Sequence, residues 1–258
     1  MKLIHESNIL KKIKDNYKNK GSLLKTFYDT VYSPYKQRME STIFDENNPN
    51  SFIVAAKLIS DYYASANDFA NKNGITSQSK FLSTIIEEIS YFLFKDLDEI
   101  KTNKYQIYNS GVFAGLTFNE NDEIVINKKD VDFCIGRILK ININKKEYKI
   151  RKPIIAVEVK TYLDATMFSG IRTFSSDLKI GSLDCQTYVL MGYKSLKREH
   201  ILYAKGSTDL NEMFALCEDS SFKVKSDVLF DYWKEIKEAI ANYKNDSSVP
   251  KYGRLLKK

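Results

Sequence analysis

The sequence predicts an α/β (α+β) fold: a mixed β-sheet core flanked by helices, with a helical N-terminal portion. Three observations carry that expectation. Through the first hundred residues apolar side chains recur at three- and four-residue spacing, the period of a helix. Beyond about residue 123 the period changes to strand-like alternation, and helical spacing then returns. The chain has 258 residues, of which 43% are hydrophobic, enough for one large core or two small ones.

The elements follow in order. Helical spacing runs through Ile9–Lys14, Leu23–Met39 and Phe52–Phe69. Asn47-Asn48-Pro49-Asn50 interrupts it as a loop and Asn73-Gly74 ends it. Ser79–Leu97 predicts another strong helix, with Phe81, Leu82, Ile85, Ile86, Ile89, Phe92 and Leu93 on one broad stripe. Glu123–Asn127 alternates. Asp130–Ile141 and Tyr148–Tyr162 are rich in β-branched and aromatic residues, and the turn Asn144–Glu147 joins them as a hairpin. Pro153 lies inside the second strand and so marks a bulge or an edge. A helix at Asp164–Leu178, an apolar strand at Thr187–Met191 and a helix at 226–243 with the only tryptophan, Trp233, complete the chain. The expected divisions are a helical N-terminal portion at 1–75, a core at 76–200, and a C-terminal helical segment with a basic tail at 201–258.

Composition removes several classes. Ten Gly and four Pro exclude a collagenous chain. No apolar run approaches the length of a membrane span, and the first residues lack the apolar region of a signal peptide, so a cytoplasmic protein is expected. Cys134, Cys185 and Cys217 are scattered without metal-binding spacing and read as reduced, semi-buried thiols. With only His5 and His200, histidine-based catalysis is disfavoured; an enzyme of this composition works through carboxylates and lysines. The net charge of +7 is uneven: residues 1–20 and 251–258 each carry +4, which leaves the middle near neutral. Basic ends suit contact with a polyanion, or simply keep a protein soluble.

Chemistry concentrates on Asp132 and on Glu158-Val159-Lys160. Alternate residues of a strand share a face, so Glu158 and Lys160 point one way while Val157 and Val159 pack the other. Asp132, on the hairpin partner, can come alongside. Two carboxylates so placed suit Mg2+, and a neighbouring lysine can orient an attacking water for phosphodiester hydrolysis. Acid-x-Lys occurs five times in the chain, so the tripeptide alone is uninformative. The buried-strand run Ile154-Ile155-Ala156-Val157 singles out this copy, because charges entering a core need a compensating purpose. The helical wheel places Glu88 just outside the apolar stripe at Phe81 and Glu87 on the far side, so Glu88 is expected to point toward the metal and Glu87 toward solvent.

Asp132 followed by Glu158-Val159-Lys160 resembles the signature of the PD-(D/E)xK nuclease superfamily, with Glu88 matching an acid that its members often carry on the first core helix. The strings Ser79-Lys80-Phe81, Ser83-Thr84, Glu87-Glu88 and Glu158 to Asp164 with Thr166-Met167 resemble the type II restriction endonucleases of the DdeI group, over roughly residues 77–195. Val131 stands where the signature has proline, which leaves the acid in place. The resemblance implies a restriction-endonuclease-like fold and a Mg2+-dependent enzyme that cuts double-stranded DNA at a short specific sequence. It further implies that Asp132 and Glu158 hold the metal, that Lys160 orients the water, that Glu88 supports a second metal or an outer-shell water, and that 5′-phosphate ends result. It also implies a homodimer, if the target is palindromic, and a companion DNA methyltransferase.

Six arginines are present, and Arg is the commonest reader of guanine edges. Arg137 and Arg151 in the hairpin and Arg172 on the following helix are the candidates for DNA binding. The tyrosines Tyr28, Tyr32, Tyr35, Tyr62 and Tyr63, at helical spacing, read as core or as a dimer face. Two alternatives stand beside the restriction reading: a structure-specific repair or recombination nuclease of the same fold, and a non-catalytic DNA-binding protein.

Overall fold

The computed structural model describes residues 3–143, 146–206 and 209–243; the basic tail at 251–258 lies outside the described residues. The helical half comes first. Helices α1 (Ile4–Lys14), α2 (Gly21–Phe27), α3 (Ser33–Ser41) and α4 (Asn50–Lys72) occupy the stretches with helical spacing. Between α2 and α3 the chain makes a π-helical turn, Tyr28–Tyr32, where the sequence predicts one continuous helix. The stop after α4 needs Gly74, whose φ of +62° is in the left-handed region. Helix α5 (Ser83–Phe94) starts later than its apolar stripe suggests, because Lys80 takes a left-handed conformation with φ +56°.

After the short α6 (Asp98–Lys101), β1 (Gln106–Tyr108) is followed by the hairpin β2 (Val112–Phe118) and β3 (Ile124–Lys129). Next come β4 (Phe133–Ile143), β5 (Lys146–Leu163), α7 (Ala165–Gly181), β6 (Gln186–Lys194), α8 (Arg198–Lys205), β7 (Glu212–Ala215) and α9 (Ser226–Asn242). The main sheet has five strands in the order β1-β4-β5-β6-β7. The β1–β4 and β4–β5 pairs are antiparallel, whereas the β5–β6 and β6–β7 pairs are parallel. The sheet therefore extends past residue 200, into a segment whose sequence reads as helical. Four further elements, α6, β1, β2 and α8, are likewise absent from the elements that the sequence predicts.

The β4–β5 hairpin forms as expected, with a register shift between Ile135 and Gly136 that sets Gly136 opposite Pro153. A Cβ at Gly136 would lie 2.3 Å from the Lys152 carbonyl oxygen, so only glycine fits this crossing. Phe133, Ile135, Ile155, Val157 and Val159 face one side of the sheet. They join a core that runs without a break through α5, α9 and the N-terminal helices, from Ile9 and Tyr62 to Trp233. Cys134 and Ala156 face the other side, against Val112, Phe174 and Leu178 of β2 and α7. The tyrosines at 32, 35, 62 and 63 are buried, in agreement with the core reading, and the three cysteines are buried and free. Among the described residues no helix is long and apolar enough to cross a membrane.

Candidate active site

Asp132 stands one residue ahead of β4. The Phe133–Val157 pairing, continued by one step, brings it beside Glu158. Its carboxylate Oδ2 accepts the Val159 N–H at 2.7 Å, which ties the acid on one strand to the backbone of the next. Val157 and Val159 are buried in the core while Glu158 and Lys160 remain partly accessible, as strand alternation requires. The Lys160 ammonium lies 2.5 Å from Glu158 Oε1. Asp132, Glu158 and Lys160 are thus brought together.

The acids of α5 are placed in the reverse of the expected arrangement. Glu88 is buried and turned away from Asp132, toward the N-terminal helices. The backbone N–H groups of His5 and Glu6 donate to its Oε2 at 3.1 and 3.2 Å, and the Tyr32 hydroxyl donates to its Oε1 at 2.9 Å. His5 and Glu6 belong to the first turn of α1, where backbone donors have no partner within the helix, and no side chain of the preceding residue caps them. Glu88 caps α1 from outside. Burial is the main cause that raises its pKa to about 8, against the pull of the three donors. The physical reason for the reversal is that α5 is covered on two sides. A wheel shows which residues are apolar, but not that the edge beside Phe81 faces another helix.

Glu87 is the α5 acid whose charge interacts with Asp132, Glu158 and Lys160. Burial, followed by the negative charge of Asp132, raises its carboxyl to about 7, while the charges of Lys80 and Lys160 oppose the shift. Burial, and then the charge of Glu158, raises Asp132 to about 6. The Coulombic influence of Glu158, Lys160 and Lys80 on both groups shows one mutually interacting set. Lys80 was missed by sequence reasoning, and nothing in the composition marks it. Its charge acts on both Glu87 and Asp132, and its left-handed backbone turns the chain immediately before α5.

Carboxylates gathered at the cost of raised protonation constants, beside lysines, are the donor chemistry of a hard, oxygen-binding cation. Among the described residues no three His, Cys, Asp or Glu side chains are grouped so as to hold a metal ion, so Asp132 and Glu158 are the pair that would offer it oxygen ligands.

The arginines are dispersed. Arg137 is half-buried, with its Nε enclosed and unpartnered. Arg151 is exposed, 5.3 Å from the centre of the Tyr108 ring and bonded to Ser110. Arg172 is exposed on α7, 4.6 Å from the centre of the Tyr203 ring. They do not converge on the carboxylates.

Residues 78–248 match the model of the family described as Bpu10I restriction endonuclease. No curated protein matches significantly. Among solved structures, a chain from "native BbvCI A2B2 tetramer at low resolution" is similar, with a TM-score of 0.70 and 16% sequence identity over 93% of this chain and 96% of that one. At that identity the likeness speaks for the fold, which is that of a restriction endonuclease. The family match covers Asp132 and Glu158, both α5 acids and the whole main sheet, and it is with Bpu10I rather than with the DdeI group. The chain belongs to the Bpu10I restriction endonuclease family.

Proposed function

We propose that the enzyme hydrolyses double-stranded DNA at a short specific sequence in a Mg2+-dependent reaction that leaves 5′-phosphates. The observation that carries this reading is the meeting of Asp132 and Glu158 with Lys160 where β4 and β5 pair, with the charge of Glu87 of α5 acting on the same group. Asp132 and Glu158, with Glu87 in place of Glu88, would hold the cation. When bound, Mg2+ supplies charge neutralisation for an acidic site and polarises the scissile phosphate. The chain's own groups do the rest. The Val159 N–H holds the Asp132 carboxylate in one orientation. Lys160, steered by Glu158, directs the attacking water in line with the leaving oxygen and offsets the charge that develops on the phosphate. Among the arginines, exposed Arg151 and Arg172 are free to meet DNA, whereas half-buried Arg137 is a poorer candidate.

A multimer is part of the proposal. A palindromic target would call for a homodimer, and the similar chain is described as coming from an A2B2 tetramer. A methyltransferase that protects host DNA is the expected genetic companion. The narrower kinship with the DdeI group rests on the strings around Ser79 and Glu158 alone.

Incubation of the protein with plasmid DNA and Mg2+ should give discrete fragments with 5′-phosphate ends, and chelation should abolish them. Asp132→Ala and Lys160→Ala should each stop cleavage. Discrete cutting that survives both substitutions would overturn the site, and nicking that follows DNA structure rather than sequence would indicate a repair-type nuclease.

A further inference from the structure

Beyond the crossing at Gly136 and Pro153 the two longest strands leave the sheet. β1 pairs with β4 only at Cys134–Gly136, and β6 pairs with β5 only from Ile155 onward. Residues 137–143 and 146–152 pair with each other alone and form a two-stranded ribbon. At roughly 3.3 Å per residue each strand extends about 20 Å past the sheet. These fourteen residues include six Lys and Arg against a single acid, Glu147.

The ribbon has two unlike faces. Ile138, Lys140, Asn142, Glu147, Lys149 and Arg151 are exposed, while Leu139, Ile141, Tyr148 and Ile150 on the opposite face are half-buried or buried. On the exposed face Lys140 stands directly across from Lys149. Like charges at such a position destabilise a strand pair. The Glu147 carboxylate, 3.5 Å from the Lys140 ammonium, relieves this only weakly, since both side chains are well solvated. Taken alone, the chain gains nothing from that pairing; an anion placed between the two ammonium groups turns the repulsion into attraction.

We propose that the exposed face of this ribbon is a phosphate-backbone anchor that grips duplex DNA outside the cleavage site. The proposal rests on the reading of the chain as a DNA-cutting enzyme and adds where else the substrate is held. A two-stranded ribbon fits the major groove of B-DNA, about 12 Å wide, with its flanking lysines at the phosphates. Lys149 lies nine residues from Glu158 along β5. That is roughly 30 Å, close to one turn of duplex, and too far for a reader of bases beside the cut. The ribbon therefore contributes affinity that is indifferent to sequence.

The test is a Lys140→Gln/Lys149→Gln variant, with Lys140→Arg/Lys149→Arg as the charge-preserving control. Binding is measured by fluorescence anisotropy, in Ca2+, on two 40-base-pair duplexes, one with the mapped cut site at its centre and one without it. The glutamine variant should bind both duplexes about tenfold more weakly near 0.1 M salt. The slope of log K against log salt should shrink by about 1.8, the value for two lost phosphate contacts. The arginine control should retain both properties, the melting temperature should not fall, and the cut positions should stay where they are. Unchanged affinity and slope would overturn the proposal. So would altered cut positions, which would make the ribbon a base reader. Loss of a larger species in sedimentation, with DNA binding intact, would make it a subunit contact, and aggregation alone would reduce its lysines to guards of a bare strand edge. If the wild-type enzyme cuts DNA and the variant binds normally, only the anchor fails. If the wild type cuts nothing, the functional reading fails.

Discussion

Adjacent carboxylates on α5 do unrelated work. Glu87 belongs to the charged cluster with Asp132, whereas Glu88 terminates the hydrogen bonds of another helix. Glu87→Gln should therefore reduce cleavage by at least tenfold and leave the melting temperature almost unchanged. Glu88→Ala should do the opposite: loss of a buried acceptor of three donors costs about 3 kcal/mol of stability, read from urea unfolding, with cleavage retained by the folded fraction. A second prediction concerns the cation. Mg2+ or Ca2+ at ten times its dissociation constant should stabilise the wild type by about 1.4 kcal/mol, and Asp132→Asn should lose that increment in thermal scans. Asp132, Glu158 and Lys160 were legible in the sequence because a strand has a period of two and a hairpin brings its partners into register. The α5 acid was not, since helical spacing reports an angle and is silent about which neighbour occupies it. Lys80 was illegible for a different reason: its position depends on one unusual backbone torsion.

At the scale of elements, the long helices and the β4–β5 hairpin were legible because each repeats its period several times. β1 and β7 were not, with three and four residues, too few to establish alternation before the chain turns. Pro153 correctly signalled irregular pairing, and the cause is the close passage of the Lys152 carbonyl over Gly136. Gly136→Ala should cost about 2 kcal/mol in denaturant unfolding, since backbone rather than a flexible side chain must give way. The seam between α1 and α5 carries a pH dependence. His5 is fully buried, bonded through its ring to Thr84 of α5 and Tyr62 of α4 and edged by Tyr32 and Phe81. Burial, and then the charge of Lys12, pushes its pKa from 6.5 down to about 3. Below pH 6.5 the unfolded chain binds a proton that the folded chain refuses, so the stability from this group is complete above that value and is lost as the pH falls toward 3. Glu88, raised from 4.5 to about 8, acts in the opposite sense and favours folding as the pH drops through that interval. From this pair, melting temperatures should be highest near pH 5 to 6.5 and fall on further acidification. His5→Gln should flatten the acid limb.

For the whole molecule, the boundary at 75 has no counterpart in the packing. One apolar core joins the N-terminal helices, α5, α9 and a full face of the sheet. Removal of residues 1–75 should leave a fragment without cooperative unfolding or near-ultraviolet circular dichroism, because the outer side of α5 would meet water. Folding of that fragment as a stable unit would restore the boundary. Charge also looks different at this scale. The excess of +7, which the linear chain carries at its two ends, has a dense counterpart in the projecting ribbon, invisible until the two strands are paired.

The cap that Glu88 provides for α1 limits how such enzymes can be recombined. A crossover between relatives at residue 75 would separate the donors on α1 and Tyr32 from the carboxylate they serve, and strand a buried acid one residue from the chemistry. A crossover after Phe94 would carry donors and acceptor together as one inherited block. Chimeras joined at the second point should fold and cut where those joined at the first do not, so the workable joint lies inside the catalytic half rather than at its apparent border.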